Sequence, residues 1–289
     1  YLDNEVQYHD STLWHKGLGS HSTVKNEYSH DLFTQEALRF IREHRDSLFF
    51  LYLPYTVPHS SGEPEGGERY QVPDFGIYAD RDWPKDRKGY AAMISRMDRD
   101  VGRIMQLVDD LGLSERTVIF FTSDNGMRGL KHYFNPNGPF RGGKHDLYEG
   151  GIRVPMMVSW KGQIRPGTQS DHLSAFWDFL PTACEIAGIS VPEQVDGISF
   201  LPVLKGEEQP EHESLYWEYP TRGGSQAIRK GKWKLVRNHV ISEPPGTIEL
   251  YNLDEDLGET QNVSAVHPGV VRELLDEMEA SRVESEIFP

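Results

Sequence analysis

Helix-like and strand-like segments alternate through the first two thirds of the chain, and this alternation limits the fold more than any other feature. Residues 31–45 carry apolar side chains at helical spacing and lead directly into the apolar run LFFLYL at 48–53. A second helical pattern over 90–111 precedes the apolar run TVIFF at 117–121. Each pair predicts a helix followed by a buried strand.

A third unit reverses this order, because the strand-like VPMMVSW at 154–160 precedes a helix at 178–188. Asp178 is placed to cap that helix, and Gly188 is placed to end it. Alternating helices and buried strands are typical of a sheet covered by helices on its faces. The sequence therefore predicts an α/β fold with a largely parallel sheet flanked by helices.

The pattern changes after about residue 205 to short strand-like segments separated by turn residues. The segment QAIRKGKWKLVRN predicts a hairpin that turns at Lys230 and Gly231, and TIELYNL predicts another strand. A final helix carries apolar residues on one face from Val270 to Met278. We therefore predict a smaller C-terminal antiparallel sheet-plus-helix subdomain over 205–289, after a larger α/β domain over 1–204.

Charge and composition exclude some classes of partner. The formal net charge of −15 argues against nucleic acid, whose phosphates require clustered Lys and Arg side chains. The longest apolar run is far shorter than the roughly 20 residues that a transmembrane helix needs, so no membrane span is predicted. A single cysteine, Cys184, excludes a disulfide framework within the chain.

The tripeptide Asp124-Asn125-Gly126 follows the apolar run TVIFF closely. Ligands of open α/β sheets collect at the carboxyl ends of the strands, which is where this tripeptide is expected to lie. Asp124 and Asn125 both present oxygen atoms that suit a hard cation, calcium in preference to magnesium, which tends to retain its waters. The alternative is an ordinary Asp-Asn-Gly turn.

Two further polar residues stand on irregular backbone. Lys144 lies between RGG and EGG, where glycines would let the backbone approach an oxyanion bound by the ammonium group. His59 follows the run at 48–53 much as Asp124 follows TVIFF. A solvated lysine and a loop histidine are the alternatives, so only the convergence of these groups at one site would favour catalysis.

Segments along nearly the whole chain resemble the sulfatase family, within the alkaline-phosphatase-like superfamily, and they occur in the family's order. These segments are YSHDLFTQEALRFIREHRDSLFFLYLPYTVPH, SDNG, NGPFRGGKHDLYEGGIRVPMMVSW, DFLPTACEIAG, DGISFLPVLKGE, GKWKLV and ELYNLDEDLGETQNV. The resemblance implies a sulfuric ester hydrolase of the arylsulfatase type that cleaves sulfate monoesters.

The resemblance also implies roles for particular residues. Asp124 and Asn125 correspond to the later pair of ligands to one calcium ion, and Lys144 corresponds to the lysine that contacts the sulfate. His59 corresponds to the histidine near the leaving-group oxygen. His145 stands where many relatives carry glycine or another small or polar residue, and it is either a substrate contact or an exposed loop histidine. Arg141 is either part of the site or structural.

One departure from the family concerns the nucleophile. Sulfatases use a formylglycine made from a Cys or Ser in a Cys/Ser-x-Pro-x-Arg motif, and residues 1–289 contain no such motif. The resemblance therefore implies the C-terminal part of a longer sulfatase, whose missing N-terminal part would supply formylglycine and further calcium ligands. Residues 1–204 would then be the C-terminal part of the catalytic α/β domain.

The resemblance leaves the substrate open between a sulfated small molecule and a sulfated glycan. By analogy with the family, the compartment would be periplasmic, extracellular or lysosomal. Two alternatives remain at this stage. One is a hydrolase of phosphate or phosphonate esters from the same superfamily, and the other is a non-catalytic binding protein that lacks the nucleophile segment.

The missing motif generates a first prediction. Residues 1–289 alone should not hydrolyse a model aryl sulfate, because the nucleophile is absent from this sequence. A colorimetric assay of the purified segment, run beside the matured full-length protein, would measure this. Turnover by the segment above background would show that the nucleophile lies within these residues.

Overall fold

The computed structural model describes residues 8–9, 27–60, 69–129, 133–242, 244 and 246–285. The chain divides into two compact units, Tyr1–Thr117 and Val118–Pro289. The predicted boundary between residues 204 and 205 stays a prediction, since both sides of it belong to the second unit.

The helices and strands are, in chain order, β1 Tyr8–His9, β2 Glu27–Tyr28, α1 Ser29–Glu43, α2 Lys85–Asp110, β3 Ile119–Thr122, α3 Glu149–Ile152, β4 Met156–Ser159, α4 Phe179–Ala187, α5 Leu201–Lys205, β5 Leu215–Tyr219, β6 Ser225–Lys230, β7 Trp233–Asn238, β8 Ile248–Asn252 and α6 Pro268–Ser281. Within the described ranges, no helix is both long enough and apolar enough to span a membrane.

The first unit is built on α1 and α2, which confirm the two predicted helices. Their apolar faces meet at Ile41 and Val108, and both side chains are buried. A buried polar pair also joins the helices, because His30 Nε2 lies 3.1 Å from Asp100 Oδ2. Gly112 ends the second helix with a φ of 67°, a left-handed conformation that glycine adopts without a steric penalty.

The segment 48–53, predicted as a buried strand, has no strand assignment. Its apolar side chains alternate between two environments: Phe49 and Leu51 pack on the helical core, whereas Leu48 and Phe50 are exposed. A strand requires a neighbour that accepts its backbone hydrogen bonds, and the described residues provide none for this segment. Every strand pair in the described ranges is antiparallel, so the predicted parallel pairing has no counterpart there.

In the second unit, β3 and β4 pair antiparallel, with Phe120 opposite Val158. Helix α4 ends at Gly188 as predicted, with a φ of 67°. The Asp178 side chain, by contrast, accepts no capping hydrogen bond from this helix. Its carboxylate instead accepts hydrogen bonds from the backbone N–H of Ile198 at 2.9 Å and from His212 Nε2 at 2.7 Å. The Asp178 side chain therefore ties distant segments together, a role that a local capping pattern does not reveal.

The C-terminal sheet-plus-helix is confirmed. Strands β5, β6, β7 and β8 form a four-stranded antiparallel sheet in sequence order, and the β6–β7 hairpin turns at Gly231 as predicted. Ile228, Leu235 and Leu250 on one face of the sheet pack against Leu274 and Met278 of α6, and all five side chains are buried. Burial of this apolar stripe on the sheet stabilises the helix.

The opposite face of this sheet carries a buried lysine. Lys234 Nζ lies 2.8 Å from Glu149 Oε1 and 3.2 Å from Glu259 Oε1, and all three side chains are almost inaccessible to solvent. Burial by itself favours a higher pKa for both carboxyls, Glu149 and Glu259. For Glu149, Lys234 and the nearby Arg229 and Arg153 outweigh burial and lower the pKa, whereas the pKa of Glu259 remains raised. The cluster connects the loop before β4 to the C-terminal sheet.

Removal of the lysine generates a stability prediction. Lys234→Ala should lower the urea midpoint of the full-length protein, because it leaves two carboxylates buried without their shared cation. The cost of breaking such a cluster is about 3–5 kcal/mol. We expect the lower end, since Arg229 and Arg153 also lie near Glu149. Tryptophan fluorescence during urea unfolding would measure the midpoint.

The matched control is Lys232→Ala, which removes an exposed lysine two residues away. It should leave the midpoint nearly unchanged, because exposed charges contribute little. Equal midpoints for the two variants would contradict a stabilising role for the buried cluster.

Candidate functional site

Asp124 and Asn125 lie on the turn that follows β3. Asp124 is exposed and Asn125 is partly buried. The two side chains are adjacent, since Asn125 Nδ2 donates a hydrogen bond to Asp124 Oδ1 at 3.2 Å. A single turn therefore places a carboxylate and an amide side by side.

Glycines hold this turn against the loop that carries Lys144. The backbone N–H of Gly126 donates to the carbonyl of Gly151 at 2.9 Å. A Cβ on Gly126 would lie 1.8 Å from the carbonyl oxygen of Gly150, and a Cβ on Gly143 would lie 2.4 Å from that of Met127. These distances leave no room for a side chain, so the glycines allow the two backbones to approach closely.

Asn137 fixes the same contact from a third segment. Its Oδ1 accepts a hydrogen bond from the backbone N–H of Met127 at 2.9 Å. Its Nδ2 donates to the carbonyls of Met127 at 2.7 Å and Gly142 at 3.0 Å. One amide side chain thus joins the turn after Asn125 to the loop before Lys144, and the structure brings Asp124, Asn125 and Lys144 into one loop cluster.

Arg141 anchors the start of the Lys144 loop to the C-terminal sheet. Its guanidinium donates to the Tyr251 hydroxyl at 2.6 Å, the Glu259 carbonyl at 2.9 Å and the Tyr148 hydroxyl at 3.0 Å. It also lies 3.9 Å from the centre of the Tyr148 ring. With its donors directed at the protein, Arg141 has the structural role that the sequence left open.

Lys144 is partly buried, and among the described residues no carboxylate forms an ion pair with it. The next residue, His145, has a φ of 81°, which is uncommon for a residue with a side chain. Partial burial and the positive charges of Arg222, Lys144 and Arg128 lower the pKa of His145 below its ordinary value. The loop therefore places the Lys144 side chain beside an imidazole whose surroundings favour the neutral form.

His59 lies in the first unit, on the loop after residues 48–53. The side chain is exposed, and Nδ1 lies 2.8 Å from the carbonyl oxygen of Ser60. If that nitrogen carries the proton, the other ring nitrogen can accept or exchange a proton with a bound molecule. Its predicted role beside the other groups stays a prediction.

The described residues supply only part of a metal site. Nowhere among them do three or more His, Cys, Asp or Glu side chains cluster as a metal-binding group. Calcium takes six to eight oxygen ligands, and the Asp124–Asn125 turn provides hard oxygen donors of the correct chemistry for two of them. The turn therefore fits one side of a calcium site whose remaining ligands would come from elsewhere.

Sequence reasoning missed the residues that surround and anchor this loop. Arg222 and Tyr219 contact His145 from more than 70 positions further along the chain, and Lys234 contacts Glu149 from 85 positions away. No local motif marks any of the three. Glu149 lies in the EGG segment that follows Lys144, so the sequence drew attention to its neighbourhood. Its partner, Lys234, is apparent only from the fold.

Two family models match the chain. The model described as Sulfatase matches residues 2–189, and the model described as N-sulphoglucosamine sulphohydrolase, C-terminal, matches residues 142–284. Together they extend over both compact units.

Sequence similarity to individual proteins points to the same family. The N-acetylgalactosamine-6-sulfatase of Mus musculus is 32% identical over 212 residues, which cover 70% of this chain and 37% of that protein. The chain spans about half the length, or less, of the curated relatives that it matches.

Solved structures share the fold. Ps i-CgsB in complex with k-i-k-neocarrahexaose aligns over 93% of this chain and 60% of its own, with a TM-score of 0.75 and 26% identity. The phosphonate monoester hydrolase of Agrobacterium radiobacter aligns over 71% of this chain and 44% of its own, with a TM-score of 0.51 and 25% identity. These alignments confirm the α/β fold class, and the first family match covers well over half of the sequence. The chain belongs to the sulfatase family.

Proposed function

We propose that the protein hydrolyses sulfate monoesters and that these residues carry one wall of its active site. The observation that supports this most is the close packing of the Asp124–Asn125 turn against the Lys144 loop. Carboxylate and amide oxygens on one loop and an ammonium group on the other are the two kinds of group that a bound sulfate ester with a dication would require.

Lys144 is proposed to bind the non-bridging oxygens of the sulfate. These oxygens carry the negative charge of the ester, and a positively charged donor held in place before the reaction stabilises the charge as it shifts in the transition state. The absence of a carboxylate partner among the described residues leaves the Lys144 ammonium available for this contact.

His59 is proposed to deliver a proton to the leaving-group oxygen. When the bond from sulfur to that oxygen breaks, the oxygen gains negative charge, and a proton from the imidazolium form of His59 would neutralise it. The net reaction consumes one water molecule, and its products are an alcohol and hydrogen sulfate.

A calcium ion and a formylglycine complete the proposal. Asp124 and Asn125 would hold one calcium ion, with magnesium the less suitable cation, and calcium would neutralise charge on the sulfate oxygens. A formylglycine from an upstream segment of the same protein would supply the nucleophile. The proposed substrate is a sulfated small molecule or glycan, and the proposed compartment is periplasmic, extracellular or lysosomal.

Hydrolysis of a phosphate or phosphonate ester is the second candidate, favoured by the aligned phosphonate monoester hydrolase. Its TM-score of 0.51 against 0.75 for Ps i-CgsB makes it the less similar of the two structures. Assays of the full-length protein with matched aryl sulfate, phosphate and phosphonate esters would separate the candidates. Preference for the sulfate supports our proposal, and preference for the phosphonate overturns it.

The metal ligand gives a testable prediction. In the full-length protein, Asp124→Ala should weaken calcium binding by at least about tenfold, since even a partner in the outer shell contributes that much. Activity should fall with the calcium affinity, and excess calcium should partly restore it. Titration calorimetry of calcium reads the affinity directly, without dependence on turnover.

Asp171→Ala is the matched control, because Asp171 is an exposed aspartate in the same unit. It should bind calcium as the parent protein does. If Asp124→Ala also retains the parent affinity, the tripeptide is an ordinary turn and the metal assignment fails.

The sulfate-binding lysine gives a different prediction. Lys144→Ala should leave most of the calcium affinity in place and lower turnover by about 10²–10³-fold, the usual cost of one oxyanion-stabilising donor. Lys205→Ala removes an exposed lysine of the same unit and should have no such effect. Near-normal turnover of Lys144→Ala at saturating calcium and substrate would show that Lys144 is a solvated loop residue.

A further inference from the structure

A second set of polar side chains lies directly beside Lys144. Arg222 Nη2 donates a hydrogen bond to His145 Nδ1 at 3.0 Å. The His145 ring stacks on Tyr219, with ring centres 5.6 Å apart and planes inclined by 10°. Arginine cannot accept a hydrogen bond, so His145 Nδ1 is the acceptor and a neutral ring carries its proton on Nε2. The contact therefore orients the imidazole.

The loop that carries Arg222 is held by the end of the C-terminal sheet. It connects β5 to β6, and Gly224 N–H donates to the Thr221 carbonyl at 3.1 Å across the turn. Gly223 lies so close to the β7–β8 connection that a Cβ would be 2.6 Å from Ser242 Oγ. Arg222 itself has a φ of 55°, a conformation that costs free energy in a residue with a side chain. The fold thus presents Arg222 at a defined position.

The local charge is opposite to that of the whole molecule. Besides partial burial, three positive charges lower the pKa of His145, those of Arg222, Lys144 and Arg128. The negative charge of Asp146 opposes them. Arg222 Nη1 forms an ion pair with Asp146 Oδ1 at 3.8 Å, a distance too long for a hydrogen bond, and 44% of the Arg222 side chain is exposed. On a chain of net charge −15, such a cationic surface attracts anions locally.

The chemistry of this surface fits an anionic carbohydrate more closely than a simple aryl ester. Guanidinium N–H groups match the geometry of carboxylate and sulfate oxygens in pairs, and Arg222 has donors beyond the one that His145 uses. The stacked rings of His145 and Tyr219 add an aromatic surface of the kind that lines ligand sites. One substrate would contact all of these groups if it carried a second anionic group near the sulfate on Lys144.

We propose that Arg222, oriented with His145 and Tyr219, binds a second anionic group of a sulfated carbohydrate. This inference rests on the proposed function, because it assumes that Lys144 holds the scissile sulfate. Arg222 then selects doubly charged substrates over singly charged ones and is a specificity residue, separate from the groups that act on the sulfate.

The test compares two disaccharides that differ in one group: one carries a single sulfate, and the other carries the same sulfate and an adjacent carboxylate. Calorimetric binding to the full-length protein should favour the doubly charged sugar. Arg222→Gln should remove about tenfold to hundredfold of that preference, the range expected for a hydrogen bond to a charged group. Arg222→Lys should recover part of it, because the charge remains but the paired geometry is lost.

Arg165→Ala is the control, since Arg165 is an exposed arginine of the same unit. It should keep the parent preference. A thermal melt of each variant reports folding. Equal weakening of both sugars by Arg222→Gln would mean that Arg222 only supports the loop, and it would overturn the inference.

The outcome is independent of turnover. A parent protein that binds both sugars equally overturns the second anion site, even if it hydrolyses sulfate esters. A parent protein that prefers the doubly charged sugar but hydrolyses no sulfate ester retains the anion site and contradicts the proposed function.

Discussion

Close backbone contact between two loops is the constraint on which the rest of the candidate site depends. The turn after β3 and the segment before β4 meet through Gly126 and Gly143, where a Cβ would lie 1.8 Å from the carbonyl oxygen of Gly150 and 2.4 Å from that of Met127. No rotamer relieves such an overlap, because the obstructing atoms belong to backbone. The glycines therefore determine how near Asp124 and Asn125 can lie to the Lys144 loop. Hydrogen bonds from the Asn137 side chain then hold the two backbones in register.

A buried charge cluster attaches this loop pair to the C-terminal sheet. Glu149 follows Lys144 by five residues, and its carboxylate pairs with Lys234, the second residue of β7. Its backbone N–H donates to Glu259 Oε2 at 2.7 Å. Burial of three charges is a weak source of net stability, since desolvation offsets most of the attraction. Its consequence is positional, because a shift of the loop would leave a charge in the interior without its partner.

The sheet therefore does more than complete a hydrophobic core with α6. One of its faces packs on the helix, and the other holds Lys234 and the contacts of Arg141 with Tyr251. The connection between β5 and β6 carries Arg222 to His145. Residues far apart in the chain thus form the surroundings of Lys144. The two family models overlap in this part of the chain, at residues 142–189.

Local patterns predicted the helices, the β6–β7 hairpin and the final helix, because apolar periodicity and turn residues act over a few positions. The run at 48–53 shows the limit of such patterns, since an apolar segment becomes a strand only when a neighbour takes its backbone hydrogen bonds. Asp178 shows the same limit: its position suggested a cap, but its carboxylate binds Ile198 and His212.

The sequence by itself identified the residue types of the candidate site, since Asp124, Asn125 and Lys144 stand in recognisable glycine-rich segments. Tertiary structure alone assigned Arg141 a structural role and brought Arg222 to His145. The physical reason is that ion pairs, ring stacking and backbone contacts depend on distance in space, and the chain must fold before residues that are 77 positions apart can meet.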